Sequence, residues 1–238
     1  MVELEWDDGL AIITINRPQA RNAISLDTMG ELDDALDQVG EARALAITGA
    51  GDRAFVSGGD LKELSALRTE DEAAAMARRM RAICDRLAGF RVPVVAALNG
   101  HALGGGAEFA VAADIRLAAE DIRIGFNQVT LEIMPAWGGA ERLAALVGKG
   151  RALLLAGTGR SLDAAAAERI GLVDAVLPRP TFDQEWRAIA RQLASHPAGE
   201  IKRVIAGASA DEAVAAFARL WVADAHWGAA DRVMNRPR

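Results

Sequence analysis

The chain has 238 residues, 51% of them apolar, enough for one large packed domain or one domain with a small appendage. Its 33 acidic residues outnumber 27 basic ones, for a formal net charge of -6, which argues against coating nucleic acid or an anionic membrane. A single cysteine excludes an intrachain disulfide, and one cysteine with three histidines offers no zinc-ligand spacing.

The first residues are acidic, unlike a signal peptide, and no apolar run reaches bilayer length, so the expected location is cytoplasmic. Alternation and isoleucine content predict a strand within 9–18, broken by Asn16-Arg17-Pro18. Leu26, Met29, Leu32, Leu36 and Val39 share one face of a helix predicted over 25–40, with Ser25 as N-cap and Gly40 as stop. Short buried strands are predicted at 42–51 and 92–100. Residues 54–64 are a strand end, a glycine turn and a helix start, and 70–90 a long helix with Cys84 in its core face. Small residues mark 108–114 as a buried helix, and 115–126 alternate. Short helices between glycines fill 140–171, and 171–178 is a strand and exit. Residues 181–196 and 199–227 are helical around Pro197, and the basic tail 232–238 is expected to fray.

Strands crossed by helices, then helices alone, predict an α/β core over 1–180 and a helical region over 181–238. The apolar faces of that region pack either on a neighbouring subunit or on their own chain.

Two glycine turns carry the chemistry: "NGHALGGGAEFAVAADIRLA" (99–118) and "SGGDLKEL" (57–64). Tandem glycines before a helix leave amide N–H groups bare, and the helix dipole adds positive character there. Neither turn is a dinucleotide fingerprint or a phosphate-binding loop of the Gly-Lys-Ser/Thr type. Either turn alone is explained by tight packing of a helix on a sheet. Together they can face one pocket, and two convergent N–H donors suit a carbonyl oxygen that gains charge, such as a thioester oxygen forming an enolate. Glu108 then stands beside that carbonyl, within reach of a proton.

At these residues the sequence resembles the enoyl-CoA hydratase/isomerase (crotonase) superfamily. "NRPQARNAIS", "AFVSGGDLKEL", "VVAALNGHALGGGAEFAVAADIRLA", "IMPAWGGAERL" and "GRSLDAAAAERIGLVDAVLP" follow the family's order and cover most of residues 10–178. The resemblance implies an α/β spiral of β-β-α units with a C-terminal helical region, assembled as homotrimers or dimers of trimers. It implies an acyl-CoA substrate, with coenzyme A as its carrier and no metal or redox cofactor. The oxyanion-hole amides fall on Gly59 and Gly105. Arg21, Ala23, Ser57, Asp60, Leu61 and Gly104 fall to substrate and CoA binding.

The chain also departs from that pattern. Family hydratases use two glutamates around a water. The first matches Glu108, but Gln128 stands in the second place, and an amide takes and gives no proton at neutral pH. Glu132 stands where the family usually has glycine. If 128–132 forms a helical turn, the two side chains share a face. Glu132 then either replaces the missing carboxylate or is a surface or salt-bridged one. Decarboxylases resembling the ethylmalonyl-CoA type dispense with the second glutamate and carry a tryptophan in a context like "MPAWGG", so Trp137 is either a wall of the acyl pocket or a core aromatic. Hydration of a 2-enoyl-CoA is the primary expectation, with decarboxylation of a malonyl-type thioester or non-catalytic acyl-CoA binding as alternatives. His101, His196 and His226 lack acidic partners in sequence and are expected to be structural.

Overall fold

A computed structural model describes residues 1–235; the last three residues of the basic tail lie outside that range. The chain opens with strands β1 (Val2–Asp7) and β2 (Leu10–Ile15), paired antiparallel through a turn in which Asp8 and Gly9 both have positive φ. Helix α1 (Leu26–Gln38) follows. The hydroxyl of Ser25 caps it by accepting from the backbone N–H of Thr28 at 3.2 Å.

A repeating unit then begins. The first is β3 (Ala44–Gly49), β4 (Ala54–Val56), α2 (Leu61–Leu64) and α3 (Glu70–Ala88). The second is β5 (Val94–Leu98), β6 (His101–Leu103) and α4 (Gly105–Ala110). The third is β7 (Ile115–Ala119), β8 (Arg123–Gly125), α5 (Gly139–Val147) and α6 (Lys149–Thr158). The chain continues through β9 (Ser161–Asp163), α7 (Ala164–Arg169) and β10 (Ala175–Leu177). It ends in α8 (Phe182–Ser195), α9 (Ala198–Ile205), α10 (Ala210–Trp221) and α11 (Asp224–Met234).

The first strand of each unit enters a six-stranded sheet, ordered β1-β2-β3-β5-β7-β10. The second enters a four-stranded sheet, β4-β6-β8-β9. All pairings are parallel except β1 with β2 and β8 with β9. This alternation between sheets is the expected spiral of β-β-α units. Every residue of β3 and β5 is buried, which is why those strands read as continuous apolar runs.

Five details differ from the sequence-based expectation. Strand β1 was passed over although VELEWD alternates apolar and acidic residues, and β6 was hidden because it is three residues long beside glycines. Helix α4 starts at Gly105, so the glycine run itself supplies its first turn. Residues 199–227 fall within three helices, not one. Helix α8 buries Phe182, Trp186, Ala190 and Ala194 and contacts β2, β3 and β10. It belongs with the large sheet, and the helices with bare apolar faces begin at Ala198.

Candidate active site

Each of the three glycines before Glu108 has its own steric reason. Gly104 turns the chain at φ 56°, ψ -121°, leaving β6 for α4. A Cβ on Gly105 would lie 2.2 Å from a ring carbon of Trp137, and one on Gly106 would lie 1.7 Å from the carbonyl oxygen of Val56. Helix α4 is therefore pressed against β4 on one side and against the Trp137 indole on the other.

The second turn meets the first. Gly58 has φ 106°, and the position of its missing Cβ is 3.2 Å from the backbone nitrogen of Gly105. Ile24 N–H donates to Gly58 O, and Asp60 N–H donates to Ile24 O, both at 2.8 Å. In such a parallel bridge the N–H of the intervening Gly59 faces away from Ile24. The N–H of Gly105, first residue of α4, has no acceptor inside its helix. The two turns thus bring Gly59 and Gly105, each with a bare amide, to one place beside Trp137.

Glu108 is buried one turn into α4 and accepts four hydrogen bonds. Gln128 Nε2 (2.8 Å) and Ala136 N (3.3 Å) reach Oε1, while Trp137 N (2.7 Å) and Gly139 N (3.0 Å) reach Oε2. Burial pushes its carboxyl above the ordinary 4.5, and these four donors pull the other way. Gly139 must lack a side chain, because a Cβ there would sit 2.3 Å from Glu108 Cγ.

Gln128 opens a short 3-10 turn, Gln128–Leu131, and is buried. Its Nε2 is committed to Glu108, and its Oε1 is buried with no partner. Glu132 ends the turn at φ 57° and is exposed; its backbone N–H donates to the carbonyls of Gln128 and Val129, but among the described residues its carboxylate makes no hydrogen bond to the side chain of Gln128 or of Glu108. The helical turn that would set Glu132 under Gln128 does not form. The left-handed backbone also explains why glycine is at home at this position.

Around this centre lie the other candidates. Arg21 is exposed in a left-handed conformation, and its carbonyl accepts from Ser57 N–H at 3.2 Å. A cavity of about 420 Å3 is bounded by Arg21, Arg53, Ser57, His101 and Leu103, among others. Ala23 is buried, with its carbonyl held by Arg17 Nη1 at 2.5 Å. Asp60 caps α2, and Leu61 is exposed beside it. Burial raises the Asp60 carboxyl, but its bond to Arg17 and the α2 amides outweighs this and leaves it below its ordinary value.

Arg17 is a residue the sequence reading left as a strand breaker. It is buried and pairs with Asp60 and Glu63 at 2.9 Å each, tying the loop before α1 to α2. The backbone amides of Ala136, Trp137 and Gly139 as donors to Glu108 were also missed; the glycines of "WGG" mark a tight turn but not its partner. Cys84 is fully buried, and its thiol is pushed up to about 12. His101 Nδ1 accepts from Arg123 N–H at 3.1 Å, His196 ends α8, and His226 packs between Trp221 and Trp227.

Two bare amides beside a buried carboxylate define a site that polarises a carbonyl and handles a proton next to it. The sequence model of the enoyl-CoA hydratase/isomerase family matches residues 5–218, and the chain belongs to that family. It is 40% identical to a probable enoyl-CoA hydratase of Mycobacterium tuberculosis over 190 residues, 79% of this chain and 72% of that protein. It is 38% identical to a crotonyl-CoA hydratase of Syntrophomonas wolfei over 215 residues, 88% of this chain and 80% of that one. The crystal structure of an enoyl-CoA hydratase from Bacillus anthracis superposes with a TM-score of 0.82 at 35% identity, covering 87% and 82% of the two chains. Among the described residues no helix is long and apolar enough to cross a membrane.

Proposed function

We propose that the protein adds water to the double bond of a 2-enoyl-CoA thioester, with Glu108 as the sole acid/base. The observation that carries this is the Glu108–Gln128 pair: a carboxylate on the helix that Gly105 begins and an amide on the 3-10 turn, 2.8 Å apart. The thioester oxygen accepts from Gly59 and Gly105 N–H. A water takes the place of the long Ala136 contact on Glu108 Oε1 and gives its other hydrogen to the free Gln128 Oε1. Its oxygen attacks C3 as its proton passes to Glu108. The C2=C3 electron pair moves to the thioester oxygen as an enolate held by the two amides. C2 then takes the proton back from Glu108, leaving a 3-hydroxyacyl-CoA and an ionised carboxylate.

Coenzyme A, carried by the substrate, runs along Arg21, Ala23, Ser57, Asp60, Leu61 and Gly104, with Arg21 and Arg53 offering charge to its phosphates at the 420 Å3 cavity. No metal or other cofactor enters these steps. Incubating but-2-enoyl-CoA in heavy-oxygen water tests the reaction. Label at C3 with the wild type and not with Glu108→Gln is expected; label with both would remove Glu108 from the chemistry.

A second reading has its own support. Glu108 already holds four donors, all that a carboxylate accommodates, and a decarboxylase asks nothing of it as a base. Carbon dioxide would leave C2 of a malonyl-type thioester, and the same two amides would hold the enolate.

We also propose assembly through the C-terminal helices into a homotrimer or a dimer of trimers. Ile201, Ile205, Val214, Phe217, Trp221 and Trp227 are all exposed there, more apolar surface than a monomer normally shows. Light scattering on the purified chain checks this, and a monomer at micromolar concentration would refute it.

A further inference from the structure

Trp137 is the buried wall common to both glycine turns. Its ring carbons would meet a Cβ on Gly105 at 2.2 Å and one on Gly59 at 3.9 Å, so the indole lies directly over both amide-bearing residues. The backbone N–H of Trp137 donates to Glu108 Oε2 at 2.7 Å, and its backbone carbonyl accepts from Arg142 Nη1 at 3.1 Å. Arg142 is in turn paired with Asp85 on α3. Gly138, at φ 87°, has no side chain to obstruct that guanidinium, whose Nη1 lies 2.2 Å from where its Cβ would be. The backbone that carries the buried indole is therefore held from the α4 side and from the α3 side.

The cavity bounded by Arg21 and Ser57 does not include Trp137 in its wall. A thioester bound at Gly59 and Gly105 sends its coenzyme towards that cavity and its acyl carbons towards Glu108 and the indole. We propose that Trp137 sets the acyl-chain limit of the site, admitting short acyl-CoA thioesters and rejecting chains that must continue past the ring. Leu64, whose methyl would be 2.8 Å from a Cβ on Gly59, narrows the same passage. Arg142, through the Trp137 carbonyl, is a positioning residue for the backbone that carries the indole. The proposal rests on the acyl-CoA reading of the site but not on hydration.

Binding of saturated acyl-CoAs, which have no double bond to hydrate, separates the two. By calorimetry, the wild type should bind butyryl-CoA at least about tenfold tighter than dodecanoyl-CoA, because a rigid pocket discriminates steeply against methylenes it has no room for. Trp137→Ala should bring the ratio to within about threefold by admitting the long chain. Arg142→Gln should loosen it partway, with circular dichroism reporting an intact fold. A wild type that binds both chains equally overturns the proposal whether or not any variant folds. An unchanged ratio in folded Trp137→Ala overturns it as well. If no acyl-CoA binds at all, the acyl-CoA reading fails and takes the proposal with it. If butyryl-CoA binds selectively yet no enoyl thioester gains water, hydration fails and the chain-length limit stands.

Discussion

Gln128 donates from Nε2 to Oε1 of Glu108 at 2.8 Å, and its own oxygen is left buried without a donor. Where two carboxylates would share a proton, this pair holds one titrating group and one fixed dipole. This amide orientation suits an ionised Glu108, since the flipped amide would set oxygen against oxygen.

The first consequence is for Glu108 itself. Glu108→Gln should lower turnover by about 10²–10⁴-fold, the usual contribution of a positioned acid/base, while circular dichroism stays native. Initial rates on but-2-enoyl-CoA measure it.

The pH profile follows from the raised carboxyl. Glu108 must be ionised to accept the proton, so kcat/KM should climb with pH on an acid limb whose midpoint lies above 4.5. Stability runs the opposite way. The folded carboxyl binds its proton more tightly than the unfolded one, so its contribution is fully present below 4.5 and is lost as pH rises through the folded value. The Tm of the wild type relative to Glu108→Gln should therefore fall from pH 4.5 upward and then level off.

Neighbouring glycines should respond differently to one methyl. Gly105→Ala drives into the Trp137 ring, a side chain and not the backbone. It should fold and lose about 10²–10³-fold in kcat as the amide geometry is spoiled. Gly106→Ala drives into the Val56 backbone carbonyl, and should lose about 1–3 kcal/mol or more of stability in urea unfolding.

Glu132 offers a test of the single-carboxylate site. Its left-handed backbone costs about 1–2 kcal/mol for a residue with a side chain, partly offset by glycine's greater unfolded-state freedom. Glu132→Gly should raise stability by about 0.5–1 kcal/mol and leave kcat within about twofold. A collapse in kcat would restore Glu132 as the second carboxylate.

The α/β core was legible because its core strands are unbroken apolar runs and its turns are marked by glycine, whereas the spiral itself was implied by the family resemblance. The partnering of "SGGD" with "GGGAE" was legible for the same reason, since both leave amides bare. What was hidden lies in long-range contacts. Nothing in local sequence says that the amides of Ala136, Trp137 and Gly139 fold back onto Glu108, or that Arg17 reaches Glu63 across 46 positions. The conjecture that Glu132 lies one turn below Gln128 needed a regular helix, and the chain makes a 3-10 turn that ends in a left-handed residue. Helix α8 was grouped with the tail by its helical pattern, though Trp186 anchors it to the large sheet.

The most direct test is mass spectrometry of a mixed panel of 2-enoyl, 3-enoyl and malonyl-type CoA thioesters after incubation with the pure protein and with Glu108→Gln. Hydration through Glu108 predicts that the 2-enoyl thioester alone gains the mass of one water, and only with the wild type. Loss of carbon dioxide from the malonyl-type thioester, with the enoyl thioesters unchanged, would contradict it and assign the two amides to decarboxylation.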